Sequence, residues 1–289
     1  TQVDMAVEGV DGPQLRRAMD RAYAEMLRLE ALMSRYQPRS VVSRINLAAG
    51  IVPVAVPPEV MAVLQSAQRV SATSGGAFDV TVGAFKSWNF GHGDKVVPGA
   101  SEIARQLPLV DARSLLLDVA AGTAVLARRG MALDLGGIAK LPILEAGMNM
   151  LRSEGVENAM INGGGDVRTH GLWQGRPWRV GLRDPRSPER LLGVVAVAGA
   201  GVVASSGDYE RFFFHQGQRQ HHVLNPRTGR PASGVHGVSL VARDVAAVNG
   251  LGAALMVQGA QAGRLLAQRT GLAVLMAGQD GSVWQSAAM

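Results

Sequence analysis

The residue whose type and setting most invite chemistry is His222, in His221-His222-Val223-Leu224-Asn225-Pro226 ahead of the turn Thr228-Gly229. An imidazole exchanges a proton near neutral pH, so His222 is a candidate general base. A structural histidine at a strand end is the rival reading. Neighbouring strand residues face opposite ways, so His221 and His222 would not chelate one ion. A second candidate is Asp134-Leu135-Gly136-Gly137-Ile138-Ala139-Lys140. Where two glycines open a helix, bare N–H groups at the positive end of the dipole suit a pyrophosphate. Lys140, one turn in, adds a point charge. The same glycines also suit a plain tight turn, and Asp134 suits a helix cap. Ser205-Ser206-Gly207-Asp208 offers hydroxyls with no histidine at a diagnostic offset, which favours a turn over a nucleophile. Trp88 and Phe90 suit either stacking on a flat ring or ordinary core packing.

Other motifs are missing. Gly137-Ile138-Ala139-Lys140 lacks the spacing and the Ser/Thr of a phosphate-binding P-loop, and there is no G-x-G-x-x-G after a strand, no HExxH and no G-x-S-x-G. The chain has no cysteine, which removes disulfides, thiolate metal sites and a thiol nucleophile and is compatible with an oxidising compartment. A net charge of +6 favours an anionic partner. The basic residues are scattered and not interleaved with aromatics, so nucleic acid is not expected. The longest apolar stretch, Leu191 to Ala204, is short and glycine-rich, so no transmembrane segment is expected. Aromatics are only 4% of the 289 residues, so the core must rest on Ala, Val, Leu and Met.

The elements that must position these residues follow from periodicity. Leu15, Ala18, Met19, Ala22, Met26, Leu29 and Met33 predict an amphipathic helix over 12–34. A second helix starts after Pro57-Pro58-Glu59 and stops at Ser74-Gly75-Gly76. Residues 115–133 read as a hairpin, and a helix follows from about Ile138. Strands are expected at 156–161, 178–182, 194–204, 211–215 and 238–242. Helices are expected at 245–257 and 261–268, and a closing hairpin turns near Asp280-Gly281. Helices and strands mix without a βαβ rhythm, so the class is α+β.

Six segments stand in a telling order: Tyr36-x-Pro38, Ala77-Phe78-Asp79-x-Thr81-x-Gly83, Asp134 to Lys140, Asn162-x-Gly164-Gly165-Asp166, Ser205 to Tyr209, and His222-x-x-Asn225-Pro226-x-Thr228-Gly229-x-Pro231. With them the chain resembles the ApbE family of FAD:protein FMN transferases. The resemblance implies a single domain over 1–289, T-fold-like, with two intimately packed lobes meeting near residue 130 around a flavin cleft. It implies FAD contacts from Tyr36, Ala77, Phe78, Asp79, Asp134, Lys140 and Leu224, and His222 as the base. The partner it implies is a flavoprotein whose Ser or Thr hydroxyl receives FMN as AMP departs, and the compartment is the bacterial periplasm.

The family's Mg²⁺ positions map to Gly137, Asn249 and Ala253. There the family has Asp and Thr where this chain has Asn249 and Ala253, and a hard ion loses a carboxylate and a hydroxyl. Asp244 lies off the face that would replace them. Leu141-Pro142 stands where the family has Gly after the Lys, tolerable in a first helical turn. The flavin-covering N-terminal strand is reduced to Met5-Ala6. An FMN transferase is the leading expectation. The alternative is a metal-poor relative that binds FAD without cleaving it, and a protein keeping the fold for interaction alone is the third reading.

Overall fold

In a computed structural model of the chain, all 289 residues are described except Val10, His92 and Asp94. The chain opens with β1 (Val3–Glu8), then α1 (Gly12–Met33), α2 (Val41–Leu47), β2 (Val54–Ala55), α3 (Pro58–Thr73), α4 (Ala100–Gln106), β3 (Leu115–Asp118) and β4 (Thr123–Leu126). The remainder is α5 (Lys140–Ser153), β5 (Asn158–Gly163), β6 (Asp166–His170), β7 (Trp178–Asp184), β8 (Ser187–Val197), β9 (Gly201–Gly207), β10 (Phe212–His215), β11 (Gln218–His221), β12 (Val235–Ala242), α6 (Leu251–Thr270), β13 (Ala273–Gly278) and β14 (Val283–Gln285). The α+β class expected from the sequence is met. Among the described residues no helix is long and apolar enough to cross a membrane.

A seven-stranded antiparallel sheet in the order β1-β5-β6-β9-β12-β13-β14 is the backbone of the fold. Side chains alternate across it with the period of a strand. Ile161, Val202, Val238 and Leu240 face the helices: α1 and α5 cover Ile161, and α6 covers the other three. Met160, Val167, Val203 and Val241 face the other way, under the β7–β8 hairpin with Val180, Leu182 and Val197. A separate three-stranded sheet, β2-β4-β3, packs with α2 and α3. Its core gathers residues 29–139 and takes in Ala254 of α6.

Local signals explain most elements. Asp11 caps α1 by accepting from the Gln14 N–H at 3.2 Å, and Ala18, Ala22, Met26, Leu29 and Met33 form its buried stripe. Pro142 sits in the first turn of α5, where its missing N–H costs no helical bond.

Several expectations are corrected. Residues 194–204 are not one strand. Gly199, at φ 73°, turns the chain from β8, paired with β7, into β9, paired with β6 and β12. Met5-Ala6 belongs to a full edge strand, β1, paired with β5. Ser205 to Gly207 lie in β9 and not in a turn. The helix expected from Val245 begins at Leu251, because Gly250 at φ 79° breaks the backbone there. Gly259, at φ 77°, kinks α6, so the second helix expected at 261–268 is its continuation.

Candidate active site

The centre of the site is the turn from Asp134 to Lys140. Asn46 holds its approach: the side-chain amide takes the Leu133 N–H at 2.6 Å and donates to the Leu133 carbonyl at 3.1 Å. Asp134 does not cap α5. Its Oδ1 accepts the Gly136 N–H at 2.8 Å and its Oδ2 pairs with Arg35 at 2.8 Å. Gly137 is exposed, and its N–H has no protein acceptor among the described residues. That leaves a donor for an anion just ahead of the α5 N-terminus. Lys140 Nζ stands 3.0 Å from Asp166 Oδ2, while Asp166 Oδ1 accepts the Ser205 N–H at 2.7 Å. Burial pushes the Asp166 carboxyl up against the pull of Lys140. An ammonium carries three donors, so the pair leaves Lys140 able to reach a second acceptor.

Of the flavin-contact candidates, Tyr36 and Phe78 lie beside this turn. Tyr36 is 70% exposed, and the Arg35 guanidinium that binds Asp134 also lies 5.1 Å from the Tyr36 ring centre. Ala77 and Phe78 are buried. Phe78 forms a floor: a Cβ built on Gly137 would stand 3.2 Å from its Cε2, and one on Gly250 would stand 3.6 Å from the same atom. Asp79 faces inward. Its carboxylate accepts from Thr81 N–H, Thr81 O–H and Ala112 N–H, and burial pushes it up despite those bonds. Leu224 packs against the cluster of Phe85, Trp88 and Phe213. Trp88 and Phe90 stack on each other at 5.4 Å, and Trp88 Nε1 donates to the Gly229 carbonyl at 2.8 Å, so both serve the core.

His222 follows β11 directly. Its N–H donates to the Arg211 carbonyl at 3.1 Å, and its Nδ1 lies 3.3 Å from the same oxygen. Burial, then the Arg211 guanidinium, pushes the imidazole down to about 3. The ring is therefore neutral at neutral pH. With Nδ1–H donating to the carbonyl, Nε2 keeps a free lone pair. His221 points the other way, into the core, with Nε2 2.9 Å from the Ala232 carbonyl, as alternation requires. Arg227 donates to the Gly75 carbonyl at 2.7 Å and ties the histidine loop to the turn before Ala77.

One group escaped the sequence reading. Arg211 projects over the central turn, its Nη2 3.9 Å from where a Gly136 Cβ would stand. Asp208, read there only as part of a turn, is fully buried and paired with Arg219 at 2.7 Å and His236 at 2.6 Å. No spacing rule links these positions, and only the sheet order brings them together.

The metal positions converge in part. Gly137 and the Asn249-Gly250 bend meet over Phe78. Gly250 separates Asn249 from α6, so Asn249 and Ala253 do not share one helical face. Asp244 is spent on the Ala247 N–H at 3.0 Å. Among the described residues no group of three or more His, Cys, Asp or Glu could hold a metal ion. The donors on offer are the Gly137 carbonyl and the Asn249 carboxamide, both neutral, with a methyl at Ala253. Mg²⁺ favours carboxylate and water oxygens, so this set does not fit it.

Fold and site define a class: a mixed α+β protein with an exposed glycine turn, one of its N–H groups free, set beside a neutral histidine. The comparisons make it particular. The profile of the ApbE family matches residues 1–276, and the chain belongs to the ApbE family. The FAD:protein FMN transferase of Klebsiella pneumoniae is 37% identical over 213 residues, which span 73% of this chain and 66% of that protein. That of Vibrio cholerae is 31% identical over 271 residues, 92% of this chain and 80% of the relative. The crystal structure of the ApbE protein from Thermotoga maritima superposes with a TM-score of 0.89 at 30% identity, covering 98% of this chain and 92% of that one.

Proposed function

We infer that this chain is an FAD:protein FMN transferase, which moves FMN from FAD to a Ser or Thr hydroxyl of a target flavoprotein and releases AMP. The observation that supports it most is the placing of neutral His222 beside the Asp134–Gly137 turn, with Arg211 between them. In this reading the acceptor oxygen forms a bond to the phosphorus on the flavin side of the pyrophosphate. The bond from that phosphorus to the bridging oxygen breaks, and AMP leaves with the electron pair. The hydroxyl proton passes to His222 Nε2, whose tautomer the Arg211 carbonyl sets. The free Gly137 N–H and Lys140 receive phosphate oxygens. Tyr36 offers its exposed ring to an aromatic part of FAD. Ala77, Phe78 and Leu224 offer backbone, and Asp79 shapes their turn. Asp134 orients Arg35 and the glycines. No step is assigned to Mg²⁺, given the donors at Gly137, Asn249 and Ala253.

The test is incubation of the purified protein with FAD and a Ser/Thr peptide from a flavoprotein, followed by assay of AMP and of FMN-modified peptide by mass spectrometry. Modification in wild type, lost in His222→Ala, is the expected result. Stoichiometric FAD binding with no AMP would instead favour the second reading, a flavin-binding protein that does not cleave FAD, which the neutral donors at Asn249 and Ala253 support. A periplasmic location is part of the same proposal, supported by the absence of cysteine. Fractionation of the native cells tests it.

A further inference from the structure

Breaking the pyrophosphate puts negative charge on the departing AMP phosphate, and the site needs a cation to receive it. The metal positions supply only neutral donors. Two cations near the turn are held by carboxylates: Arg35 by Asp134, and Lys140 by Asp166, which leaves the ammonium only part of its donors for a phosphate. Arg211 differs. Its side chain makes no ion pair or hydrogen bond among the described residues, and it is exposed. Its guanidinium roofs the Gly136 turn, and its carbonyl holds the His222 ring. A planar, always-charged fork with five donors matches two phosphate oxygens at once.

We propose that Arg211 is a catalytic residue of this site: its guanidinium binds the FAD pyrophosphate and takes up the charge that develops on the departing AMP, the work that a hard dication would otherwise do. This deepens the transferase reading and rests on it for the charge-stabilising part. The contact follows from the geometry. Arg211 Nη2 stands 3.9 Å from where a Cβ on Gly136 would be, next to the free Gly137 N–H, and the Arg211 carbonyl holds His222, so one anion bound at this turn meets both residues.

The experiment compares wild type, Arg211→Ala and Arg211→Lys in EDTA. Fluorescence titration gives the affinities for FAD and for riboflavin, and AMP release with the acceptor peptide gives kcat and KM. The expected result is that Arg211→Ala weakens FAD by roughly ten- to a hundredfold while leaving riboflavin unchanged. In turnover it lowers kcat by about a hundredfold or more, with Arg211→Lys in between. Equal FAD affinities in wild type and Arg211→Ala, or loss of FAD and riboflavin binding together, would overturn the proposal. So would a wild-type turnover that EDTA abolishes and Mg²⁺ restores. The binding titration reads the Arg211 contact whether or not FAD is cleaved. Failure of wild type to release AMP with or without Mg²⁺, with the FAD-selective loss intact, therefore counts against the transferase reading and leaves the pyrophosphate contact standing.

Discussion

Asp208 holds His236 through a 2.6 Å contact between Oδ2 and Nδ1, with the carboxylate wholly out of solvent. Its other oxygen takes Arg219 at 2.7 Å. The pair joins β12 to β11, and the base of the β10–β11 hairpin carries Arg211 and His222. Replacing Asp208 by Asn keeps the shape and removes the charge that both partners face. The expected loss is about 1.5–3 kcal/mol, the range for hydrogen bonds to charged groups. Urea denaturation measures it, and unchanged stability would show that Arg219 and His236 hydrate as well as they pair.

Gly83 lies where the chain runs beside the strand leading to Asp134. A Cβ there would stand 2.6 Å from the Ala132 carbonyl oxygen and 2.7 Å from the Leu133 carbonyl carbon. Both are backbone atoms, so neither can swing aside. Gly83→Ala is expected to cost about 1–3 kcal/mol, the usual range for overpacking. FAD affinity should fall too, because Leu133 carries the approach to Asp134. Thermal unfolding and fluorescence titration of the same variant read the two effects.

Folded His222 resists protonation down to about 3, whereas an unfolded imidazole takes its proton near 6.5. Between those values the unfolded chain binds more protons. The stability that neutral His222 contributes is therefore present above about pH 6.5 and lost progressively as pH falls toward 3. His222→Gln removes this dependence. Wild type is expected to lose ground to the variant by at most about 1.4 kcal/mol per pH unit below the unfolded value. Denaturation of both proteins near pH 7 and near pH 5 checks it, and a constant difference would mean that the ring is freely solvated.

Asn249 and Ala253 bound the metal question from the other side. Placing Asp at Asn249 and Thr at Ala253 restores one anionic and one hydroxyl oxygen. The double variant is expected to become responsive to Mg²⁺, read as a rise in melting temperature with added MgCl₂ and in AMP release. The Asn249→Asp change alone should carry most of the gain, because it supplies the anionic oxygen that Mg²⁺ favours. A flat Mg²⁺ titration would show that the bend keeps residue 249 from any shared ion.

Much of this protein was legible along its length, and the reason is that the signals were local. The stripe from Ala18 to Met33 declared α1, and Pro58 and Ser74 bounded α3. Gly136-Gly137 marked the turn, and the opposed faces of His221 and His222 followed from strand alternation. The misses share a different cause. Residues 194–204 read as one apolar strand, because nothing local says that Gly199 moves the chain from the β7–β8 hairpin to the main sheet. The positive φ of Gly250, which shortens α6 and leaves Asn249 outside it, leaves no trace in periodicity.

The amino-acid order by itself determined α1, α3 and α5, most of the strands, the glycine turn and the ordered segments that resemble ApbE, since each depends on residues a few positions apart; the short α2 and α4 left no such signal. The tertiary structure alone decided that Arg211 roofs Gly136, that Asp208 meets His236 and Arg219, and that Asp79 turns inward to Thr81 and Ala112. Those meetings depend on strand order and register in a sheet whose neighbours are distant in sequence. Pairing of that kind is set by the packing of the whole core and not by any window of the chain.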